Sequence, residues 1–414
     1  MPSISLRDKC KINTNIDTDV FVGLRYIDGD ISISFPLGYH LGESDEELRS
    51  DIFLLLNTLE KNTDRRESSF FTDARDYRDD VLFPLQAYLY VIKDYFSYGY
   101  FKETEISRCV AKRGKIDWPR TIKTQRTYLQ DGDAYYLDFV TKKSQLNANE
   151  LITLIHEYCV YNSFKMMGWL FSQYMPKRPR IRFQKKLFLS VLNEKIQNTF
   201  NDHHKKLFIN MRAIVLWLGD GSSNSRYTFG TNRFEYVWER MLDRVYGISN
   251  KQEYFPHTIW NVDGCDTDNA SLEPDSIMLW NNKIYVLDAK YYRFGWSGNP
   301  GDLPESTSIN KQITYGEYIA ESGKFKKNGN TPIVYNAFIM PFDSKGKKFY
   351  TDKNIRYAGT ARSTWKLNLK EYEFIHGILL DVKHLMKCTV KLDSDEILEM
   401  AQAIDNAVSL HAIT

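Results

Sequence analysis

The sequence predicts an α/β fold of the α+β kind: a mixed sheet flanked by helices, preceded by an N-terminal β-hairpin and a helical region. Three observations carry this. Two apolar, strand-like runs meet at Asn281-Asn282, several long segments repeat apolar residues at helical spacing, and an early alternating stretch turns at Asp28-Gly29. The 414 residues, 43% hydrophobic and 14% aromatic, can bury two or three cores. A formal net charge of +2 is close to balance, so any surface for a polyanion must be local, which excludes a strongly basic coating protein. Cys10, Cys109, Cys159, Cys265 and Cys388 are scattered, without the paired spacing of a zinc motif or disulfide framework, and imply a reducing cytoplasm. With no long apolar run, neither a signal peptide nor a membrane span is expected.

Residues 20 to 39 read as the hairpin, and Ser44-Asp-Glu-Glu47 as a capping box ahead of the helix containing Ile52-Phe-Leu-Leu-Leu56. A charged loop, Asn62 to Asp80, precedes an aromatic helical run from Leu82 to Tyr98. Gly114 to Thr121 leads into an expected strand over Ala134–Phe139. Helices are expected over Asn147–Gln173, Gln184–Thr199 and His203–Leu218, with Gly219–Ser225 as a linker. These signals divide the chain into 1–146, a helical bridge 147–225, and 226–414. Within the bridge, Lys177, Arg178, Arg180, Arg182, Lys185 and Lys186 form the densest basic cluster, which either tracks a DNA backbone, meets an acidic partner face, or is a solvated surface. His203-His204 reads as an exposed helix start, no Cys or acid standing at ligand spacing.

In the last third, Thr231 is the expected N-cap of a helix whose stripe is Phe234, Val237, Trp238, Met241, Leu242 and Val245. Glu235 and Glu239 fall beside that stripe. Either one leans over the sheet edge, or both are surface acids favouring the helix N-terminus. With Asn281-Asn282 as a two-residue hairpin loop, Trp280 faces Lys283 and Asp275 faces Asp288. Alternation then gives one face Asp275, Ile277 and Leu279 from one strand and Ile284, Val286, Asp288 and Lys290 from the other. Facing carboxylates lie about 5 Å apart, close enough to share a hard divalent cation and repulsive without one. Oxygen-only ligation points to Mg2+, with Lys290 orienting water or stabilising charge developing on a phosphate. The alternative is an ordinary hairpin whose acids end in solvent. A further helix starts at Ser308, with Lys311, Gln312 and Tyr315 near its start. Gln312 and Tyr315 share a face, and either touch phosphate, orient the acids, or form a half-buried pair. A strand from Ile333 is expected to end at Pro341.

A helix acid, Pro-Asp, Asp-x-Lys and a downstream Gln-Tyr helix, in that order, resemble the PD-(D/E)xK nuclease superfamily. More narrowly, Tyr227-Thr-Phe-Gly-Thr, Phe234, Trp238-Glu239, Pro274-Asp275, Val286-Leu-Asp-Ala-Lys-Tyr-Tyr292 and Asn310-Lys-Gln-Ile-Thr-Tyr315 resemble the LlaJI family of restriction endonucleases, which is similar to McrC. Ser34-Phe-Pro-Leu-Gly-Tyr39 and Gly114-Lys-Ile-Asp-Trp-Pro-Arg-Thr-Ile122 extend the likeness into the first half. The wider superfamily often spaces its Gln and Tyr four apart, whereas here they stand three apart, which leaves the role of Tyr315 open.

The resemblance implies a Mg2+-dependent endonuclease subunit in which Asp275, Asp288 and Glu239 or Glu235 bind metal and Lys290 activates water. It further implies that residues 1–146 dock on a McrB-like AAA+ GTPase hexamer, with DNA as substrate and a cognate DNA methyltransferase in the same system. The chain has no Gly-x4-Gly-Lys-Ser/Thr phosphate loop, so any nucleotide-driven step falls to a partner. A self-sufficient site-specific nuclease and a silent adaptor of the motor are the competing expectations.

Overall fold

The computed structural model describes residues 5–16, 18–27, 30–62, 83–147, 150–172, 174–219, 226–269, 271–326, 329–366, 370–391 and 395–411. Near the start, β1 (Cys10–Ile12), β2 (Val22–Ile27) and β3 (Asp30–Phe35) form a sheet in which β3 pairs antiparallel with β2 and parallel with β1. The expected hairpin is thus present, though its Asp28-Gly29 turn lies outside the described residues. Alternation buries Leu24, Ile33 and Phe35 on one face. Helix α1 (Asp45–Asn62) begins with a reciprocal cap: Glu47 N donates to Ser44 Oγ at 3.2 Å and Ser44 N to Glu47 Oε2 at 3.1 Å. Its apolar side buries Leu48, Ile52, Leu55, Leu56 and Leu59. Most of the charged stretch expected to follow, residues 63–80, lies outside the described residues.

The next unit is largely helical. It contains α2 (Leu85–Tyr98), β4 (Glu103–Ala111), β5 (Lys115–Ile116), α3 (Trp118–Thr124), β6 (Thr127–Gln130), β7 (Asp133–Tyr136), β8 (Phe139–Asn147), α4 (Leu151–Met167), α5 (Lys185–Asn198) and α6 (Asp202–Gly219). The single strand expected over Ala134–Phe139 is divided. Asp131 and Gly132 both take positive φ, 53° and 89°, closing β6 on β7 in a two-residue turn, while Phe139 opens β8 in a separate sheet ordered β4-β8-β5. The long helix expected from Asn147 begins at Leu151, because β8 runs to Asn147. Helices α2, α4 and α6 share a core of Tyr88, Val91, Ile92, Ile155, Cys159, Phe208, Met211 and Val215. The rest of the expected linker, 220–225, lies outside the described residues.

From there β9 (Arg226–Thr231) adds to the first sheet by pairing antiparallel with β2. Helix α7 (Phe234–Tyr246) starts later than expected. Thr231 still belongs to β9, and its hydroxyl accepts from Arg233 N at 2.9 Å in the turn between strand and helix. The predicted stripe is buried throughout, Trp238 and Met241 completely. Burial of each such large side chain is worth about 1.5–3 kcal/mol, so the stripe is what docks α7. A short exposed hairpin, β10 (Ile259–Val262) and β11 (Cys265–Asp268), precedes the main sheet.

That sheet comprises β12 (Ser276–Trp280), β13 (Lys283–Ala289), β14 (Ile333–Phe342), β15 (Ile355–Arg362) and β16 (Phe374–Asp381), in the order β12-β13-β14-β16-β15. Strands β13, β14 and β16 run parallel, and β12 and β15 are antiparallel to their neighbours. Helices α8 (Phe294–Ser297) and α9 (Ser306–Glu321) link β13 to β14, while α10 (Val382–Val390) and α11 (Asp395–His411) follow β16. Strand β14 runs through Pro341 rather than ending there. Ile339 turns its carbonyl towards Lys290 N, and Pro341, two residues on, turns the same way, beyond the end of β13 where no ladder bond is lost.

Contacts divide the chain into two compact units: Met1–Arg78 with Ser225–Thr414, and Asp79–Asn224. The division expected at 225/226 falls one residue from this boundary, whereas the one expected at 146/147 lies inside the second unit; the pairing of β2 with β9 joins the N-terminal hairpin to the C-terminal part. Among the described residues no helix is long and apolar enough to cross a membrane.

The turn that sets the β12–β13 register has Asn281 and Asn282 at φ 46° and 63°, a conformation that Asn tolerates and β-branched residues resist. Asn282→Val should therefore cost about 1–2 kcal/mol and lower Tm, whereas Asn282→Gly should leave Tm unchanged or raise it; thermal unfolding by circular dichroism distinguishes the two.

Candidate active site

The hairpin register is Ser276 opposite Leu287 through Trp280 opposite Lys283, as the two-residue turn requires. Asp275 stands one residue before β12, and its Oδ2 accepts from Ala289 N at 2.7 Å, which ties it to the end of β13 beside Asp288. The shared face is apolar below the acids, with Ile277, Ile284 and Val286 buried, but Leu279 at the turn end is 40% exposed and leaves the core there. Asp288, 6% exposed, forms an ion pair with Lys290 through Oδ2 and Nζ. Lys290 lies just past β13, its backbone N donating to Ile339 O at 2.9 Å and its ammonium 5.5 Å from the Phe338 ring centre.

Of the two helix acids, Glu239 is the one directed into this group. Burial pushes its carboxyl pKa up, and the negative charge of Asp288 pushes it further. Glu235 instead pairs with Arg233 at 3.3 Å on a more open surface. Helix α7 is fixed above the strands by Trp238, whose Nε1 donates to Ile339 O at 3.2 Å. Burial, then Asp288 and Glu239, raise the Asp275 pKa to about 8. Burial works against the Lys290 ammonium, yet the charge of Asp288 holds its pKa above the ordinary lysine value.

Gln312 and Tyr315, on α9, are both buried and touch backbone rather than open space. Gln312 Nε2 donates to Val286 O at 2.8 Å, and Tyr315 Oη donates to Glu273 O at 3.0 Å, two residues before Asp275. They therefore hold the strands that carry the acids. This removes the expectation that they contact phosphate directly; their three-residue spacing puts both inward because each packs on the sheet. Burial and the nearby Asp288 and Asp275 keep the Tyr315 phenol protonated. Lys311, next to them, is exposed, its ammonium 5.6 Å from the Tyr315 ring centre.

Several positioning residues carried no sequence signal. Lys251 donates to Asp275 O at 2.7 Å and pairs with Asp243 at 2.7 Å, bracing the segment before β12. Asn336, fully buried on β14, donates to Tyr372 O at 2.6 Å beside Gln312. Only the full register of five strands brings these groups together.

The basic cluster belongs to the other unit and is described by itself. Lys177, Arg178, Arg182 and Lys186 are exposed, and Lys185 is half-buried. Arg180 forks onto Glu157, at 3.1 and 2.6 Å, so its charge is already neutralised. His203, expected as an unaccompanied surface residue, meets Asp94 of α2 at 2.6 Å, a partner brought from far along the sequence.

Three carboxylates and no nitrogen or sulfur donor suit a hard divalent cation, and the repulsion that adds to burial in pushing Asp275 and Glu239 up is what such a cation relieves. A raised carboxyl pKa makes the native state bind a proton that the unfolded chain releases. Asp275 therefore favours folding below its ordinary value of 3.8, and this contribution is lost as pH rises towards about 8. Asp275→Asn, which keeps an acceptor for Ala289 N, should raise stability at pH 8 by about 1–3 kcal/mol and show a gain that shrinks towards pH 4; urea unfolding across that range, without divalent cations, is the measurement.

No curated protein matches the chain. Among solved structures it is similar to a chain in the refined half-complex from the tetradecameric assembly of Thermococcus gammatolerans McrB AAA+ hexamers with bound McrC, at 15% identity and a TM-score of 0.37, over 93% of this chain and 82% of that one. The model of the LlaJI restriction endonuclease family matches residues 21–360. That span takes in β2, β3 and β9 of the first sheet, the helical unit and the segments bearing Asp275, Asp288 and Lys290, and the chain belongs to the LlaJI restriction endonuclease family.

Proposed function

We propose that this restriction nuclease is a Mg2+-dependent DNA endonuclease with a PD-(D/E)xK core, acting as the cleaving subunit of a multi-component system. The observation that carries the reading is the convergence of Glu239, Asp275, Asp288 and Lys290 at one end of a mixed sheet. Asp275, Asp288 and Glu239 are the residues to hold the cation, which when bound supplies positive charge against the phosphate and acidifies a coordinated water. Lys290, held by Asp288, orients the attacking water and stabilises negative charge growing on the phosphoryl oxygens as the leaving oxygen departs. Gln312 and Tyr315 act as positioning residues, fixing the backbone on both sides of the acids.

Recruitment to DNA by a GTP-hydrolysing McrB-like AAA+ hexamer, with a cognate DNA methyltransferase in the same system, is part of the proposal and rests on the sequence likeness to McrC. The absence of a phosphate-loop motif from the sequence agrees with this division of labour. The exposed members of the basic cluster, with Lys311, are the proposed DNA contacts.

Asp288→Ala and Lys290→Ala should each lower DNA cleavage by about 100-fold or more while the proteins remain folded by circular dichroism. The assay uses the purified chain with Mg2+, with and without the co-purifying motor and GTP. Undiminished restriction in cells carrying Asp288→Ala would overturn the catalytic assignment. Efficient cutting by the chain alone, without nucleotide, would overturn the need for a motor.

A further inference from the structure

A second cluster with metal-binding character lies on the helices that follow β16. His384 and Cys388 stand one turn apart on α10 and so share a face, and Glu396 opens α11. Their ligand atoms, one per residue, all lie within 4.8 Å of one another. His384 Nε2 is 2.9 Å from Glu396 Oε2 and 3.5 Å from Cys388 Sγ. Tetrahedral zinc with bonds of about 2.0–2.3 Å separates its ligands by about 3.3–3.8 Å, so small side-chain adjustments suffice. Cys388 and Glu396 are 6% and 7% exposed. The backbone that carries them is held independently of any ion: Asp381 caps α10 by accepting from His384 N at 2.8 Å, and its other carboxylate oxygen accepts from Ser344 N at 2.9 Å.

A third helix supplies a further observation. Tyr246, at the end of α7 and 1% exposed, lies with its hydroxyl against Glu396 and beside Cys388, so a buried phenol closes over the trio. The donor set also differs in kind from that of the nuclease centre. Imidazole, thiolate and one carboxylate favour a borderline-soft ion such as Zn2+, whereas Mg2+ prefers oxygen alone.

We propose that His384, Cys388 and Glu396 form a structural Zn2+ site that staples α10 to α11. The staple has mechanical reach, because α11 packs on β12, β15 and β16, and its Asp405 accepts from Lys283 Nζ at 2.8 Å and Tyr285 Oη at 3.0 Å on β13. Fixing the start of α11 therefore steadies the strand that bears Asp288. Zn2+ takes the positions now filled by the His384–Glu396 contact, with His384 deprotonated at Nε2 and Cys388 releasing its thiol proton on binding.

The test is Co2+ substitution of the full chain after EDTA dialysis, read by absorbance. One equivalent of Co2+ should give a thiolate-to-cobalt charge-transfer band in the near ultraviolet, displaced by Zn2+, and Zn2+ should raise Tm. Cys388→Ser should abolish the band and weaken Zn2+ binding by about tenfold or more, and His384→Asn should weaken it likewise. Asp288→Ala should retain the band, which separates this site from the nuclease centre. Absence of the band in the unmodified chain, or its persistence in Cys388→Ser, overturns the proposal and leaves the trio as an ion-pair clasp.

Discussion

The constraint on which the rest of the structure turns is the crowding of three carboxylates around a single ammonium group. Asp288 is buried and Asp275 and Glu239 are half-buried, close enough to repel one another, and Lys290 answers only part of that charge. The surrounding elements read as the apparatus that keeps this arrangement from relaxing. The β12–β13 turn fixes which acids face, Trp238 pins the helix that delivers Glu239, and Gln312 and Tyr315 grip the backbone beneath. None of these groups need touch substrate to matter, since a slip of one residue between β12 and β13 would put Asp275 and Asp288 on opposite faces.

This division explains why the site residues fall into two classes with different polarity. Those that bear charge stand at strand ends and on one edge of α7. Those that bear hydrogen-bonding amide or phenol groups are buried and spend them on main-chain carbonyls, which stiffens the frame without adding charge. A nuclease has reason to separate these duties. Stiffness comes from the core, and reactivity from groups whose charge is left incompletely balanced.

Much of this was legible locally. The Asn281-Asn282 turn, the α7 stripe and the reciprocal cap at Ser44 and Glu47 each depend on residues within a few positions of one another, and each stands where the sequence predicts it. What escaped depended on distant partners. The backbone partners of Gln312 and Tyr315 follow from how α9 lies on the sheet, the brace from Lys251 has no motif, and Asp94 reaches His203 from another helix. Pro341 misled because a proline stops a strand only where its missing N–H would have met a neighbour, and β13 ends before that point. Choosing between Glu235 and Glu239 likewise needed the helix rotation that burial of Trp238 imposes.

The pairing of β2 with β9 has a consequence for biosynthesis. A ribosome releases β2 and β3 long before β9, and everything from Asp79 to Asn224 emerges in between. The early sheet therefore waits with an unsatisfied edge while the intervening unit has all of its own sequence available and can fold first, shortening the effective loop that the late strand must close. Translation order thus makes the inserted unit a folding aid to its host, and the nascent host is most exposed to wrong strand pairing in the interval before Thr231 appears.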